Sequence, residues 1–225
     1  KNFLAGGLMP TFDLLPNFII RRLLRQKTGG FPMLRIAAEG DVSAMLAIYR
    51  PYVLTSTATF EYDPPDEEEF LRRYRAITVQ FPWLLWEEDG QILGYAYASL
   101  PFTRAAYAWC AEPTIYLKSQ ARGKGIGKAL YDALEAILDA QGYYLLYSLV
   151  CGENENSMRF HEKRGYRTVA HFPACGFKFG RWLDLNWMEK RLKGVDPPGG
   201  VPVPWQAVMQ NAEFIHQYLD NFSLF

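Results

Sequence analysis

Residues 120–130 read QARGKGIGKAL and combine three glycines with basic side chains immediately before a helical pattern. Glycine lets consecutive backbone N–H groups converge on an anion, and a helix that starts there directs its positive end at the same point. A pyrophosphate group is the kind of ligand that this arrangement fits. The residues predicted to surround it are Arg122, Gly123, Lys124, Gly125, Ile126, Gly127 and Lys128.

Two other kinds of glycine-rich loop do not match these residues. A Walker loop requires GxxxxGK followed by Ser or Thr, but Ala129 follows the Gly127–Lys128 pair, and Arg122 stands where the first glycine belongs. A dinucleotide-binding loop requires GxGxxG, and this chain has Leu130 or Lys128 at the third glycine position. The loop therefore disfavours ATP and NAD as ligands, and the RxxGxG spacing of residues 122–127 remains.

A histidine and the cysteines are further side chains with reactive groups. His161 lies four residues after Ser157 on a predicted helix, so both side chains share one face. The stretch HEKRG begins like the HExxH of zinc proteases, but Gly165 occupies the second ligand position, which excludes that site. The three cysteines are far apart and have no CxxC or Cys/His spacing. The sequence therefore predicts neither a disulfide framework nor a metal site.

An alternation of strand and helix patterns positions these residues. Before the loop, the pattern predicts a strand at 34–37, a helix capped by Asp41, a second helix after Pro65 and three further strands. After the loop, it predicts a helix that ends near Gly142, a buried strand, a short helix before Gly165 and two more strands. The glycine-rich loop is therefore a strand-to-helix turn.

The regular pattern covers residues 33–192, which we predict to form one domain. Residues 1–32 are predicted to be an N-terminal extension, either foreign to the domain or a native arm that packs on it. Residues 193–225 are predicted to be a stiff linker, PPGGVPVP, followed by an amphipathic helix. The apolar positions of that helix are Val208, Ala212, Ile215, Leu219 and Phe222.

Composition limits the possible partners. Lys plus Arg and Asp plus Glu number 24 each, so no overall charge attracts nucleic acid or an anionic membrane. The most apolar terminal stretch, residues 14–24, is too short and too charged to cross a bilayer. The scattered cysteines suit a reducing compartment. We therefore expect a cytoplasmic protein whose partner is a small molecule.

The RxxGxG spacing, after a strand and at the start of a central helix, resembles the coenzyme A loop of the GNAT superfamily of N-acetyltransferases. Four blocks that follow one another in order resemble the phosphinothricin and methionine sulfoximine acetyltransferases: FPWLLWEEDGQILGYAYA, TRAAYAWCAEPTIYL, NSMRFHEKRGY and GFKFGRWLD. The resemblance implies an α/β GNAT fold, in which a mixed, mostly antiparallel twisted sheet carries helices on both faces. It also implies acetyl-CoA as cosubstrate, no metal, and a homodimer.

The resemblance also implies two catalytic residues. Glu112, between Ala111 and Pro113 in a predicted strand, matches the general base of the family, and burial at such a position raises the pKa of a carboxyl group. A surface glutamate is the alternative reading. His161 matches the histidine that protonates the leaving thiolate in this subfamily, and a packed structural histidine is its alternative. A further histidine that phosphinothricin enzymes carry near the loop is replaced here by Ala121.

The same resemblance implies contacts with the coenzyme, and the residue types beside Glu112 indicate contacts with the substrate. The coenzyme contacts are the backbone of Ile115, Tyr116 and Leu117 and the side chains of Asn154 and Ser157. In the loop 101–107, the guanidinium of Arg104 and the hydroxyl of Tyr107 suit an anionic or strongly polar group of the substrate, and a solvent-exposed loop arginine is the alternative reading. Phe60 and Trp109 are predicted to line its apolar part.

The expected reaction is acetyl transfer to the α-amino group of a small amino acid such as phosphinothricin, methionine sulfoximine or methionine sulfone. Transfer to another amine is the alternative, with an aminoglycoside, a polyamine or a protein N-terminus as acceptor. A sensor that binds acetyl-CoA without turnover is a third possibility. Acetylation of a panel of amines discriminates among the three.

Overall fold

A computed structural model describes residues 32–211, so the predicted extension and most of the predicted C-terminal helix lie outside the described residues. Seven strands form one sheet in the order β1-β2-β3-β4-β5-β7-β6. Neighbouring strands are antiparallel except β4 and β5, which are parallel. The strands are β1 Met33–Ile36, β2 Trp83–Glu88, β3 Gln91–Ser99, β4 Cys110–Leu117, β5 Leu145–Cys151, β6 Arg167–Lys178 and β7 Arg181–Arg191.

Helices cover both faces of the sheet, as predicted. The helices are α1 Val42–Thr55, α2 Glu67–Thr78, α3 Ile126–Gln141, α4 Glu155–Glu162 and the single turn α5 Trp205–Val208. One cluster of buried side chains joins α1 and α2 to the sheet, and another joins α3 to the opposite face. We call these two sides of the sheet the α1 face and the α3 face. Burying a large apolar side chain contributes about 1.5–3 kcal/mol, so these clusters fix the helices on the sheet.

The ends of the helices follow the sequence signals with one exception. Asp66 caps α2 by accepting the Glu69 N–H at 2.8 Å, and Gly142, with a φ angle of 102°, ends α3. Asp41 precedes α1, but its side chain makes no capping hydrogen bond to that helix. Its carboxylate instead binds Arg35 and the Ala38 N–H. The predicted cap is therefore wrong, because the ion pair with Arg35 holds the side chain away from the helix.

The segment after the last strand packs on the domain. The Val203 N–H donates to the carbonyl of Gln141 at 2.9 Å, and the Trp205 indole N–H donates to the carbonyl of Thr78 at 2.9 Å. Val208 is buried in the α3-face cluster. The predicted linker thus lies along the domain for much of its described length. Within residues 32–211, none of the helices has the length and hydrophobicity that crossing a membrane demands.

Candidate active site

Strands β4 and β5 separate soon after they meet. Their last pair joins Ala111 to Leu146. Pro113 comes next on the side of β4 that faces β5, and because proline has no N–H, it cannot donate to β5 there. β4 then continues to Leu117 with β3 as its strand partner. We call the wedge between the two strands the gap, and its apex lies at residues 112 and 113.

Glu112 lies at this apex with its side chain on the α1 face. Side chains alternate along a strand, and Ala111 packs in the α3-face cluster. Glu112 is half-buried, and no residue between 32 and 211 donates a hydrogen bond to its carboxylate or forms an ion pair with it. Burial raises the pKa of Glu112 above its usual value. A carboxylate with raised proton affinity and no cation beside it is suited to accepting a proton.

The burial of Glu112 predicts a cost in stability. A carboxyl group whose folded-state pKa exceeds its unfolded value binds its proton more tightly in the folded protein, so its contribution to stability falls as the pH rises through that interval. At neutral pH, Glu112→Gln is therefore expected to raise the melting temperature, by about 2–4 °C for each kcal/mol recovered.

Thermal denaturation at several pH values measures this effect. The gain should disappear as the pH falls below the ordinary glutamate value of 4.5, where the wild-type carboxyl is protonated in both states. Glu39→Gln is a matched control, because Glu39 is half-exposed and paired with Arg75. A lower melting temperature for Glu112→Gln at neutral pH would mean that the carboxylate has a stabilising partner.

The glycine-rich loop has the backbone that its sequence predicts. Gly123 and Gly125 have φ angles of 75° and 81°, in the left-handed region that glycine adopts without strain. The first hydrogen bond of α3 runs from the Ala129 N–H to the Gly125 carbonyl. The N–H groups of residues 126–128 therefore lack partners within the helix and lie at its positive end. Apart from Gly125 and its two chain neighbours, no heavy atom lies within 4 Å of a Cβ placed at Gly125, so this part of the loop is open.

The side chains of the loop differ in their availability. Lys124 is exposed, whereas Lys128 pairs with Asp132 at 2.6 Å. Ile126 is buried in the α3-face cluster, so it can offer an anion only its backbone N–H. The guanidinium of Arg122 lies 5.2 Å from the centre of the Tyr52 ring. The loop can thus bind an anion through its backbone, with Arg122 and Lys124 as the free cations.

The free edge of β4 offers backbone groups to the gap. The Lys118 N–H bonds to Leu93 of β3, and because antiparallel strands alternate, Ile115 and Leu117 direct their backbone groups toward the gap. The backbone of Leu117 is hydrogen-bonded to the Tyr52 hydroxyl, which donates to the Leu117 carbonyl at 2.6 Å and accepts from the Leu117 N–H at 3.1 Å.

Tyr116 differs from its two neighbours on β4. Its backbone faces β3, and its ring packs among Tyr49, Tyr52 and Tyr95 in the aromatic cluster on the α1 face. The backbone of Tyr116 therefore does not face the gap. This placement corrects the prediction that Tyr116 contacts the coenzyme.

His161 lies on α4 with both ring nitrogens engaged. Its Nδ1 donates to the Ser157 carbonyl at 2.8 Å, and its Nε2 lies 3.1 Å from the Tyr131 hydroxyl. The side chain is 4% exposed, and burial lowers the pKa of the ring. Asn154 begins the same helix and accepts the Ser157 N–H. These contacts give Asn154 and Ser157 structural roles in addition to any contact with a coenzyme.

The α1 face beside Glu112 carries an aromatic cluster that the sequence did not indicate. The Phe102 ring lies 5.9 Å from Tyr147 and 5.6 Å from Trp187, between centroids. Phe102 belongs to the loop that also carries Arg104 and Tyr107, both of which are exposed. The Phe60 ring packs against Gly176 of β6. Tyr107, whose ring lies 4.6 Å from that of Phe102, therefore lies beside this surface, and Arg104 belongs to the same loop.

Trp109 does not join this surface. Its indole N–H donates to the carbonyl of Gly200 at 2.8 Å, which holds the ring against the segment after β7. The prediction that Trp109 lines the substrate pocket is corrected for this reason. Among residues 32–211, no three His, Cys, Asp or Glu side chains lie close enough together to hold a metal ion.

A family model described as an acetyltransferase (GNAT) domain matches residues 34–187. The chain belongs to the GNAT acetyltransferase family. It is 35% identical to a phosphinothricin N-acetyltransferase of Alcaligenes faecalis over 165 residues, which are 72% of this chain and 83% of the relative. It is 30% identical to an L-methionine sulfoximine/L-methionine sulfone acetyltransferase of Salmonella typhimurium over 71% of this chain and 94% of that protein. The predicted enzyme class, an N-acetyltransferase, is confirmed.

Solved structures confirm the predicted GNAT fold. A phosphinothricin acetyltransferase from Sinorhizobium meliloti, solved in complex with AcCoA, superimposes with a TM-score of 0.72 at 38% identity. The match covers 76% of this chain and 95% of that one. A putative acetyltransferase from Salmonella typhimurium, solved with acetyl-CoA, has a TM-score of 0.72 at 29% identity and covers 75% of this chain and 98% of that one.

Proposed function

We propose that this GNAT enzyme transfers acetyl directly from acetyl-CoA to the α-amino group of a small amino acid, with Glu112 as general base. The observation that carries the proposal is the position of the Glu112 carboxylate, which is half-buried and unpaired among the described residues at the apex of the gap. The glycine-rich loop lies beside the same strand, since a Cβ placed at Gly127 would lie 3.4 Å from the side chain of Leu117 and 3.5 Å from that of Ile115. A base and a phosphate site on one gap suit a reaction between an amine and a coenzyme thioester.

Acetyl-CoA would bind along the glycine-rich loop and the free edge of β4. Its pyrophosphate lies over the N–H groups of residues 126–128, with Arg122 and Lys124 as the available cations of the loop. Its pantetheine arm pairs with the free edge of β4 at Ile115 and Leu117, where the ligand would replace the Tyr52 hydroxyl. The structure of the Sinorhizobium meliloti relative in complex with AcCoA supports this choice of ligand.

The reaction requires a neutral amine near the thioester carbonyl. Amino acids arrive as ammonium ions, so Glu112 accepts a proton before the nitrogen attacks. The N–H of Ile115 faces the gap and can stabilise the oxyanion that forms on the carbonyl oxygen. The thiolate then leaves and takes up a proton. Glu112 thus acts on the α1 face, where the amine arrives.

The acceptor surface suits an amino acid with a strongly polar end. Phe102, Tyr147 and Trp187 offer apolar surface for methylene groups, and Arg104 offers a planar pair of donors at the exposed end. Relatives named for phosphinothricin and for methionine sulfoximine or sulfone support acceptors of that kind. The homodimer and the cytoplasmic location stay predictions.

Arg104→Ala is expected to narrow the preference for methionine sulfone over methionine. Methionine carries a thioether without a strong acceptor, so it leaves the donors of Arg104 unmatched. Its kcat/KM should therefore change little when Arg104 is removed. The ratio of kcat/KM for the two acceptors should fall by about tenfold, mostly through slower reaction of the sulfone. Arg72→Ala, which removes an exposed arginine of α2, is the control. An unchanged ratio would place the polar group elsewhere.

Release of free thiol from acetyl-CoA across a panel of amines tests the proposed substrate class. The panel contains phosphinothricin, methionine sulfoximine, methionine sulfone, methionine, a polyamine, an aminoglycoside and a peptide. We expect the first three to be acetylated with the highest kcat/KM. Turnover of the polyamine or the aminoglycoside without turnover of the amino acids would refute the acceptor class and keep acetyl-CoA as donor.

A further inference from the structure

The gap widens toward the C-terminal ends of β4 and β5, because these strands run parallel and separate after the Ala111–Leu146 pair. β4 ends at Leu117 and β5 at Cys151. We call this wide region the open end of the gap. Among residues 32–211, no further strand pair joins β4 to β5 there. Segments outside the sheet must therefore connect its two halves at the open end.

Helix α1 ends on the β4 side of the open end. The Tyr52 hydroxyl binds the backbone of Leu117, the last residue of β4. Residues 56–62 follow α1 directly, and we call them the bridge loop. The Thr59 hydroxyl of this loop lies 3.0 Å from the Tyr49 hydroxyl of α1. The bridge loop therefore starts beside β4, on the α1 face.

The hairpin of β6 and β7 approaches the bridge loop from the other side. The last β5–β7 pair joins Cys151 to Leu185, so the first residues of β7 and the last residues of β6 project beyond the end of β5. Lys178 is the last residue of β6. Its Nζ donates to the carbonyl of Ser56 at 2.9 Å and to the carbonyl of Thr59 at 2.7 Å. The bridge loop thus crosses the open end, and Lys178 holds it at the far side.

The two residues before Lys178 in β6 also contact the bridge loop. The Phe60 ring packs so closely on Gly176 that a Cβ there would place three ring atoms at 3.0 Å or less. The Tyr62 hydroxyl donates to the carbonyl of Phe177. Three consecutive residues of β6 therefore bind the same loop, and the glycine is needed for the approach of Phe60.

Lys178 is a buried cation, with 1% of its surface exposed. Among residues 32–211, no carboxylate forms an ion pair with its ammonium, which lies 4.9 Å from the centre of the Phe179 ring. Burial lowers the pKa of Lys178, and Glu61 opposes that shift while it pairs with Arg73 at 2.6 Å. A buried ammonium is costly unless it is hydrogen-bonded, so its burial depends on the two carbonyls of the bridge loop.

We propose that Lys178 is a positioning residue that holds the bridge loop over the α1 face of the gap and thereby sets the affinity for the amino-acid acceptor. The inference rests on the proposed acetyl transfer. Glu112 directs its carboxylate to the same face, so the amine must bind on the side that the loop crosses. The loop also carries Phe60, a predicted substrate contact. The phosphate site lies at the start of α3, so coenzyme affinity does not depend on this lysine.

Lys178→Met tests the kinetic consequence, because methionine keeps an unbranched side chain and removes the donors and the charge. With methionine sulfone as acceptor, we expect the acceptor KM to rise about tenfold and kcat to change less than about threefold. The Kd for acetyl-CoA should stay at the wild-type value. Lys193→Met is the matched control, because Lys193 also donates to a backbone carbonyl, that of Asp139 in α3. An unchanged acceptor KM in Lys178→Met would overturn the proposal.

Hydrogen exchange of the bridge loop provides a readout that needs no substrate. The Ala58 and Glu61 N–H groups bind the hydroxyls of Ser56 and Thr59 within the loop, so their exchange reports its order. In Lys178→Met, these amides should exchange at least about tenfold faster, and in Lys193→Met they should exchange at the wild-type rate. Unchanged exchange in Lys178→Met would overturn the positioning role.

Gly176→Ala decides the question if Lys178→Met does not fold. The added methyl group displaces Phe60 and leaves the lysine in place. This variant should also raise the acceptor KM about tenfold with acetyl-CoA affinity kept, and a wild-type acceptor KM would count against the bridge loop. Wild-type protein that acetylates no amine would instead refute the proposed function, while the exchange rates would still test the contact of Lys178 with the loop.

Discussion

Gly125→Glu is expected to bind acetyl-CoA at least about a hundredfold more weakly than the wild type, a loss of about 2.7 kcal/mol. The substitution puts a carboxylate where the loop and the positive end of α3 would receive the pyrophosphate. The site has room for the new side chain, because no heavy atom beyond its chain neighbours lies within 4 Å of its Cβ. Calorimetric titration with acetyl-CoA measures the effect.

Backbone strain needs its own control in this experiment. Gly90→Glu adds the same charge at a glycine with a φ angle of 73° and equally open surroundings, in the turn between β2 and β3. This variant should bear a similar cost in stability and bind acetyl-CoA normally. Equal weakening in both variants would attribute the effect to strain or net charge. Unchanged affinity in a folded Gly125→Glu protein would contradict the phosphate site.

Glu112→Gln is expected to lower kcat by about a hundredfold or more while acetyl-CoA affinity is kept. The amide occupies the same volume at the apex but cannot accept the ammonium proton. Activity should recover partly at high pH, where the free amine is already neutral. In the wild type, kcat/KM should fall as the pH drops through the raised pKa of Glu112, and this acidic decline should be absent in the variant.

Glu39→Gln again serves as the control, because it removes a paired carboxylate on the surface. Its kcat should match the wild-type value. Full activity of Glu112→Gln at neutral pH would place the base elsewhere. Lost acetyl-CoA binding in that variant would give Glu112 a role in binding the coenzyme and not in proton transfer.

Much of the fold could be predicted because its signals are local. The apolar periods define the elements of residues 33–192, and a run of small and basic residues marks the loop at the start of α3. The error at Asp41 comes from a side-chain contact between elements that periodicity and capping signals do not report. Its carboxylate is drawn to Arg35, which also binds Glu87 of β2, and no local pattern reports that contact.

The site was predictable only in part for the same reason. Glu112 and the loop lie in one stretch of chain, so a motif can reveal them together. The contacts of Tyr131 with Pro113 and His161 join three separate elements, so no local pattern reports them. Trp109 was misplaced because its partner, Gly200, lies 91 residues further along the chain. Trp109 stands just before β4 begins, and strand alternation alone does not predict which segment packs against such a residue.

Thiol release measured with and without an amine tests the central claim most directly. Direct transfer with Glu112 as base predicts no burst of thiol when enzyme and acetyl-CoA are mixed alone. After methionine sulfone is added, thiol and N-acetylated product should form in equal amounts. A burst equal to the enzyme concentration, with acetyl attached to a side chain such as Cys110, which is buried at the start of β4, would contradict direct transfer.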